Sequence, residues 1–232
     1  DALKRIGADV DERDGDGKTP LNAACSKGFV NIFDKLIEYG ADVNCNDKFE
    51  NTSLHYASFN GHIDIVNKLI ERGANVNCKD KFGYTPLHGT CFKGHIAIVI
   101  KLIESGAEIN ARHVDGTTPI HGACENSHFD IVEKLIESGA EVNYKDNGGN
   151  TPLLYACENG NFDLAMKLIE AGADIHCKDK YGYGRTPLSC ACLNGYYDIV
   201  CKLIELGADI HFRNNSRETS LKIACENGHL DI

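Results

Sequence analysis

Nothing in these residues is apolar for long enough to cross a bilayer. The longest runs, such as Ile96-Ala97-Ile98-Val99-Ile100, fall far short of the roughly 20 residues a spanning helix needs. No basic-then-apolar signal pattern stands at the start. Cations are outnumbered: 24 Lys and Arg against 34 Asp and Glu leave a formal net charge of -10, which argues against a nucleic-acid backbone as main partner. A nucleophile elbow, a phosphate-binding glycine loop and a zincin pair are all missing, so no familiar catalytic motif marks an enzyme.

What is present reads as globular. A composition of 42% hydrophobic and 25% charged residues suits a packed core rather than a disordered chain. Eleven cysteines form no short disulfide framework, and their odd number fits free thiols in a reducing, cytoplasmic setting. In that setting the sequons Asn51-Thr52-Ser53 and Asn214-Asn215-Ser216 are accidental.

The dominant feature is a period. "TPLN" begins at Thr19, "TSLH" at Thr52, "TPLH" at Thr85, "TPIH" at Thr118 and "TPLL" at Thr151, spaced by 33 each time. "TPLS" follows two residues late at Thr186, and "TSLK" at Thr219 restores the spacing. Each Thr-Pro pair predicts a helix start, with a hydroxyl cap followed by a residue whose fixed φ suits the first turn. In the first unit this helix runs to about Lys27 and Gly28 breaks it. A second helix follows in "FVNIFDKLIEY", with Ile32, Leu36 and Ile37 at core spacing, and Gly40 supplies a left-handed cap. Between units, stretches such as "VNCKDKFGYT" (76–85) predict an extended finger with a tight turn.

This pattern resembles the ankyrin repeat family, nearly residue for residue in "TPLHGTCFKGHIAIVIKLIESGAEIN" (85–110). The resemblance covers essentially the whole chain, 1–232, read as a single array of six full helix pairs with partial units at both ends. It implies an all-α solenoid of stacked helix-turn-helix units joined by β-hairpin-like fingers. The opening "DALKRIGAD" aligns with the end of a second helix, and the closing "NGHLDI" with the start of another. The chain is therefore expected to belong to a longer array.

Two segments, "HGTCFKGH" (88–95) and "HGACENSH" (121–128), carry His-x-x-Cys-x-x-x-His on one helix face, with zinc-type ligands. Equivalent triplets in the other units, such as Asn22/Cys25/Phe29 and Ser189/Cys192/Tyr196, do not keep the set. The resemblance implies that the first histidine is a structural hydrogen-bonding group, and cysteine here is a small, partly buried filler. No metal and no cofactor are expected. "ERDGDGK" (12–18) imitates a calcium loop, but Ala23 stands where the closing Glu should be, and an ordinary finger turn is the better reading.

By the same resemblance, binding would use a concave surface made of finger tips and first helices. The positions left free there carry Lys48, Phe49, Asn51, Phe59 and Asn60 in the second unit, Lys81, Phe82, Tyr84, Phe92 and Lys93 in the third, and Lys180, Tyr181, Tyr183, Arg185, Leu193 and Asn194 in the sixth. The aromatics, Arg185 and Leu193 are the partner-binding candidates. The fourth and fifth units are polar, with Glu125 and Glu158. Finger aromatics also serve to pack against the next finger, but Phe59 and Phe92 lie on helices and suggest a partner site. The sixth finger, "DKYGYGRT" (179–186), is two residues longer than "DKFGYT" (80–85). Arg13, Lys79, Arg112, Lys145, Lys178 and Arg213 form a basic column along the finger edge, interrupted by Asn46. It either pairs with the adjacent aspartates or steers an acidic partner.

The expected function is non-catalytic recognition of another protein or peptide segment by a monomer, without nucleic acid or membrane insertion. The alternative is an architectural spacer or a regulatory arm of a larger multidomain protein.

Overall fold

The computed structural model describes residues 7, 9–180 and 184–232. The chain forms two compact units, residues 1–114 and 115–232. The first contains three helix pairs: α1 (Pro20–Lys27) with α2 (Val30–Glu38), α3 (Ser53–Phe59) with α4 (Ile63–Glu71), and α5 (Pro86–Lys93) with α6 (Ile96–Glu104). The second contains α7 (Pro119–Glu125) with α8 (Phe129–Glu137), α9 (Pro152–Glu158) with α10 (Phe162–Glu170), α11 (Pro187–Asn194) with α12 (Tyr197–Glu205), and then α13 (Ser220–Glu226). The first member of each pair is the inner helix and the second the outer.

Local chemistry starts every inner helix. In α5 the Thr85 hydroxyl accepts the His88 N–H, while the His88 ring nitrogen Nδ1 accepts the Thr85 N–H at 3.2 Å. This reciprocal box satisfies two of the N–H groups that a helix start leaves orphaned. Asn22 plays the same part in α1, His55 in α3, His121 in α7 and Ser189 in α11. Leu154 cannot, and α9 keeps only the half of the box in which the Thr151 hydroxyl accepts.

Packing then follows the period. Within each unit, every inner helix packs on the next inner helix and on its own outer helix. Leu54 and Ala57 of α3, with Ile65, Val66 and Leu69 of α4, are fully buried, as are their counterparts Leu153, Ala156, Leu164, Ala165 and Leu168 in the second unit. Burying each large aliphatic side chain contributes about 2 kcal/mol. The first outer helix departs from the sequence expectation: Phe33 alone is buried, Leu36 and Ile37 are half-buried, and Ile32 is 49% exposed. The counterpart of Ile32 in the next repeat, Ile65, is covered on both sides. Helix α2 has a described helix pair on one side only.

The close approach of successive repeats explains the interhelical glycines. Gly61 has φ +79°, and a Cβ there would lie 2.7 Å from the His95 ring of the following repeat. The His95 Nε2 nitrogen in turn meets the Phe59 carbonyl at 3.2 Å. Gly28 with His62, and in the second unit Gly195 with His229, repeat the arrangement.

The fingers are less strand-like than hairpins. No strand occurs among the described residues, and a lone antiparallel bridge joins Asn46 and Thr52. Each finger closes instead through an acidic or amide side chain. Asp47 Oδ1 accepts the N–H groups of Phe49 and Asn51, Asp80 Oδ1 those of Phe82 and Tyr84, and Asn214 Oδ1 those of Ser216 and Glu218. Asp14 does the same for Asp16 and Lys18, which makes the calcium-like "ERDGDGK" a finger turn. Neighbouring tips are then tied by one main-chain bond each: Lys48 N–H to Asp16, Lys81 to Phe49 and Val114 to Phe82.

Four members of the basic column are spent otherwise than in pairing with adjacent aspartates. Arg13 donates to the carbonyls of Gly17 and Asn46, Arg213 donates to the Arg217 carbonyl, Lys79 pairs with Glu108, and Lys178 lies over the Phe212 ring. The finger aspartates are already committed to turn N–H groups, so their neighbours reach the chain of the same or next finger.

Candidate functional site

A depression on the inner side of the first unit lies between the second and third repeats, with a volume of about 250 Å³. Its walls are the rings of Tyr56 and Phe59 from α3, Tyr84 from the next finger, and Pro86 and Gly89 from α5. Asn51, His55 and Thr85 complete it, the last two buried. Gly89 opens the space. A Cβ there would rest 3.4 Å from the Phe59 ring and 3.6 Å from the Tyr84 ring, so the two aromatics flank bare backbone.

Each wall is held from behind. The Tyr56 hydroxyl donates to Asp47 Oδ2 at 2.5 Å, and Tyr84 stacks on His88 with centroids 5.0 Å apart. Burial alone would raise the Asp47 carboxyl. The Tyr56 hydroxyl and the N–H groups of Asn51 and Phe49 outweigh it and hold Asp47 below the usual carboxylate value. His55 is held below the usual imidazole value by burial, against the opposing pull of the Tyr84 carbonyl and nearby carboxylates. Because His55 Nδ1 accepts the Thr52 N–H, the proton sits on Nε2, which donates to the Tyr84 carbonyl at 3.0 Å. Both nitrogens are in use, and the neutral ring is a strut between repeats.

Two ammonium groups stand over this cleft. Lys93 Nζ lies 4.7 Å from the centre of the Phe59 ring and 5.5 Å from that of Phe92. On the other side Lys18 Nζ lies 5.4 Å from the centre of the Tyr56 ring. These are cation–π distances.

The sequence-derived candidates therefore separate. Phe59 and Tyr84 meet across the cleft, and Phe92 joins them through Lys93. Phe49 and Phe82 stand exposed at the finger tips, outside the cleft lining, and Phe82 leans on His113 of the next finger with centroids 6.4 Å apart. Tyr181 and Tyr183 lie outside the described residues. Arg185 is engaged by two carboxylates, donating from Nε to Asp179 at 2.9 Å and from Nη1 to Glu158 at 2.7 Å, so it braces the long sixth finger against α9. Leu193 is 37% exposed, and its carbonyl meets the His229 ring at 3.0 Å. Tyr56 and Gly89 were not among the candidates, and Lys93 enters the sequence reading as a free position beside Phe92. Only the register shared by Tyr56 and Gly89, four residues after each threonine, carried a signal for the first two.

The histidine-cysteine segments are absorbed by the scaffold. Cys91 and Cys124 are fully buried, and His121 repeats the strut of His55, with Nε2 3.1 Å from the Tyr144 carbonyl. Burial also pushes the Cys25 and Cys190 thiols up to about 12, far from a reactive thiolate.

Capped inner helices, outer helices and linked finger turns, repeated at 33 residues, define an all-α repeat solenoid. The profile of the family described as ankyrin repeats, in 3 copies, matches residues 1–80, 64–146, 91–179 and 145–214. The chain belongs to the ankyrin repeat family, a non-catalytic interaction fold whose members generally bind proteins. The crystal structure of the human ASB11 ankyrin repeat domain is similar to it, with a TM-score of 0.81 and 30% sequence identity over 89% of this chain and 92% of that one. No curated protein matches the sequence. Among the described residues, no helix is long and apolar enough to cross a membrane.

Proposed function

We propose that this chain is a non-catalytic recognition module that grips a partner protein or peptide segment with its finger tips and inner helices, centred on the Phe59–Tyr84 cleft. One observation carries the reading. The cleft is lined mainly by aromatic rings and backbone, faces solvent, and takes Phe59 and Tyr84 from positions the repeat frame leaves free. Phe59, 40% exposed, occupies a position where other repeats carry Ser26, Glu125 or Glu158. A partner side chain lodged there would bury apolar surface at about 25 cal/mol per Å². Absence of catalysis fits the same picture, because the shifted histidines and the buried thiols hold the frame together. A cytoplasmic monomer remains the setting this reading assumes, in keeping with eleven unbonded thiols.

The test is affinity capture with the wild-type chain and with Phe59→Glu/Phe92→Glu, both first shown by circular dichroism to melt within a few degrees of each other. A dominant partner held by the wild type should bind the variant at least about tenfold more weakly, or 1.4 kcal/mol. Equal binding by a folded variant would remove the cleft from the interface. A variant that unfolds would instead make the two rings core. Capture of nothing by either protein would favour a spacer.

A further inference from the structure

The lysines of the first unit differ in their partners. On the outer helices Lys35 pairs with Glu38 at 2.6 Å and Lys68 with Asp34 at 2.7 Å, while Lys101 of α6 has no carboxylate partner among the described residues. The inner side holds most of the unpaired ones. Among the described residues no carboxylate pairs with Lys18, Lys27, Lys81 or Lys93, and Lys27, Lys81 and Lys93 are exposed. In a chain of formal net charge -10, the inner side of this unit thus gathers four lysines without a carboxylate partner.

The frame does not need these cations. At the place of Lys93 most other repeats carry asparagine, and that amide bonds the end of its own helix or the one before: Asn60 to the Tyr56 carbonyl, Asn126 to Gly122, Asn159 to Glu125, Asn194 to Cys190, Asn227 to Ile223. Lys93 makes no such bond, and Gly94 at φ +82° ends α5 through its own N–H. What Lys93 does is hold an ammonium over Phe59, while Lys18 holds one over Tyr56. The two rims of the apolar cleft thus carry positive charge positioned by aromatic rings and left without a counter-ion. The carboxylates behind the wall are held by the frame: Asp47 accepts from the Phe49 and Asn51 N–H groups and the Tyr56 hydroxyl, Asp80 from the Phe82 and Tyr84 N–H groups, and Asp14 from those of Asp16 and Lys18.

We propose that the partner of this cleft is an acidic protein segment, in which a bulky apolar side chain enters between Phe59 and Tyr84 and flanking carboxylates pair with Lys93 and Lys18. This deepens the recognition reading above and rests on it. The rings supply apolar contact, and the two ammonium groups select for negative charge on either side of the anchor.

The test is selection of a random dodecapeptide display library on the immobilised full chain, followed by fluorescence anisotropy with a synthetic copy of an enriched peptide. Enriched sequences are expected to place Asp or Glu on both sides of a Phe, Leu, Ile or Met. Binding should weaken as salt rises. It should fall at least about tenfold in Lys18→Glu/Lys93→Glu, which melts like the wild type, and stay unchanged in Lys180→Glu of the second unit. Neutral or basic enriched peptides, or full affinity in the double-lysine variant, would overturn the acidic partner. Loss in Phe59→Glu alone would then preserve the cleft itself. Peptides that bind Phe59→Glu and the lysine variant equally well would overturn both readings, as would failure to enrich any sequence. Concentration-dependent self-association in sedimentation, abolished by Lys18→Glu/Lys93→Glu, would give the cleft to a second copy and overturn the partner segment.

Discussion

The last two residues before the left-handed turn between helices read Ser26-Lys27, Phe59-Asn60 and Phe92-Lys93 in residues 1–114. In residues 115–232 they read Glu125-Asn126, Glu158-Asn159, Leu193-Asn194 and Glu226-Asn227. The frame beneath is the same in both units: threonine caps, buried aliphatic registers, and ring-against-glycine contacts between repeats. The face above it differs, with aromatic rings and lysine in one unit and glutamate with capping asparagine in the other. An identical scaffold under opposite surface chemistry means the scaffold selected neither. That is why the cleft in the first unit reads as function and the glutamates of the second as solvated surface. Where the second unit commits such a glutamate, the partner is its own: Glu158 holds Arg185 and Glu226 pairs with Lys222.

The strongest way to test the shared frame is at the glycines. Gly61→Ala in the first unit and Gly160→Ala in the second each put a methyl into a ring, His95 at 2.7 Å and Tyr196 at 2.4 Å, on a positive-φ backbone. Each should cost about 2 kcal/mol or more in urea unfolding. Gly40→Ala, with φ +88° and nothing within 4 Å, carries only the backbone strain of about 1 kcal/mol. If Gly61→Ala and Gly40→Ala prove equally mild, the ring contact is not what joins the repeats.

A smaller effect separates face from frame. Gly89→Ala adds a methyl at ordinary contact distance from Phe59 and Tyr84 in helical backbone. Stability should rise by about 0.5–1 kcal/mol, since glycine is a poor helix former. The cleft narrows at the same time, so affinity for an apolar anchor should fall. A variant both more stable and equally tight in binding would place the anchor elsewhere.

The mildest expectation concerns acid, and here the two units should behave alike. Burial lowers His55 and His121 from the ordinary 6.5, so the unfolded chain takes up protons first as pH falls. Their contribution is complete above about pH 6.5 and is lost progressively below it; Asp47, also lowered, adds a further loss below its ordinary 3.8. His55→Asn/His121→Asn keeps a capping residue, as Asn22 does in α1, and should flatten the fall in unfolding free energy between about pH 7 and 5. An unchanged slope would mean these rings are not what titrates.

The period, the helix pairs and the capping histidines were legible because they depend on neighbours three or four residues away, and a cap or a left-handed glycine is a local decision. The candidate face was half legible. Spacing put Phe59 and Phe92 beyond the needs of the frame, and the solvent-exposed ring of Phe59 agrees. Other features depend on contacts a full repeat distant, which no local pattern encodes. Lys93 reaches back over a ring of the preceding repeat, Gly89 makes a cleft only because Phe59 and Tyr84 stand on either side, and Arg185 reads as a free hot-spot residue until Asp179 and Glu158 close around it. Ile32 repeats the lesson in the core: its spacing marks it as buried, yet burial belongs to whichever repeat packs against it. Sequence alone determined the repeating unit and its caps, because those energies are local. The stacking of repeats within each unit decided which rings, lysines and carboxylates face one another, because those side chains meet only across repeats.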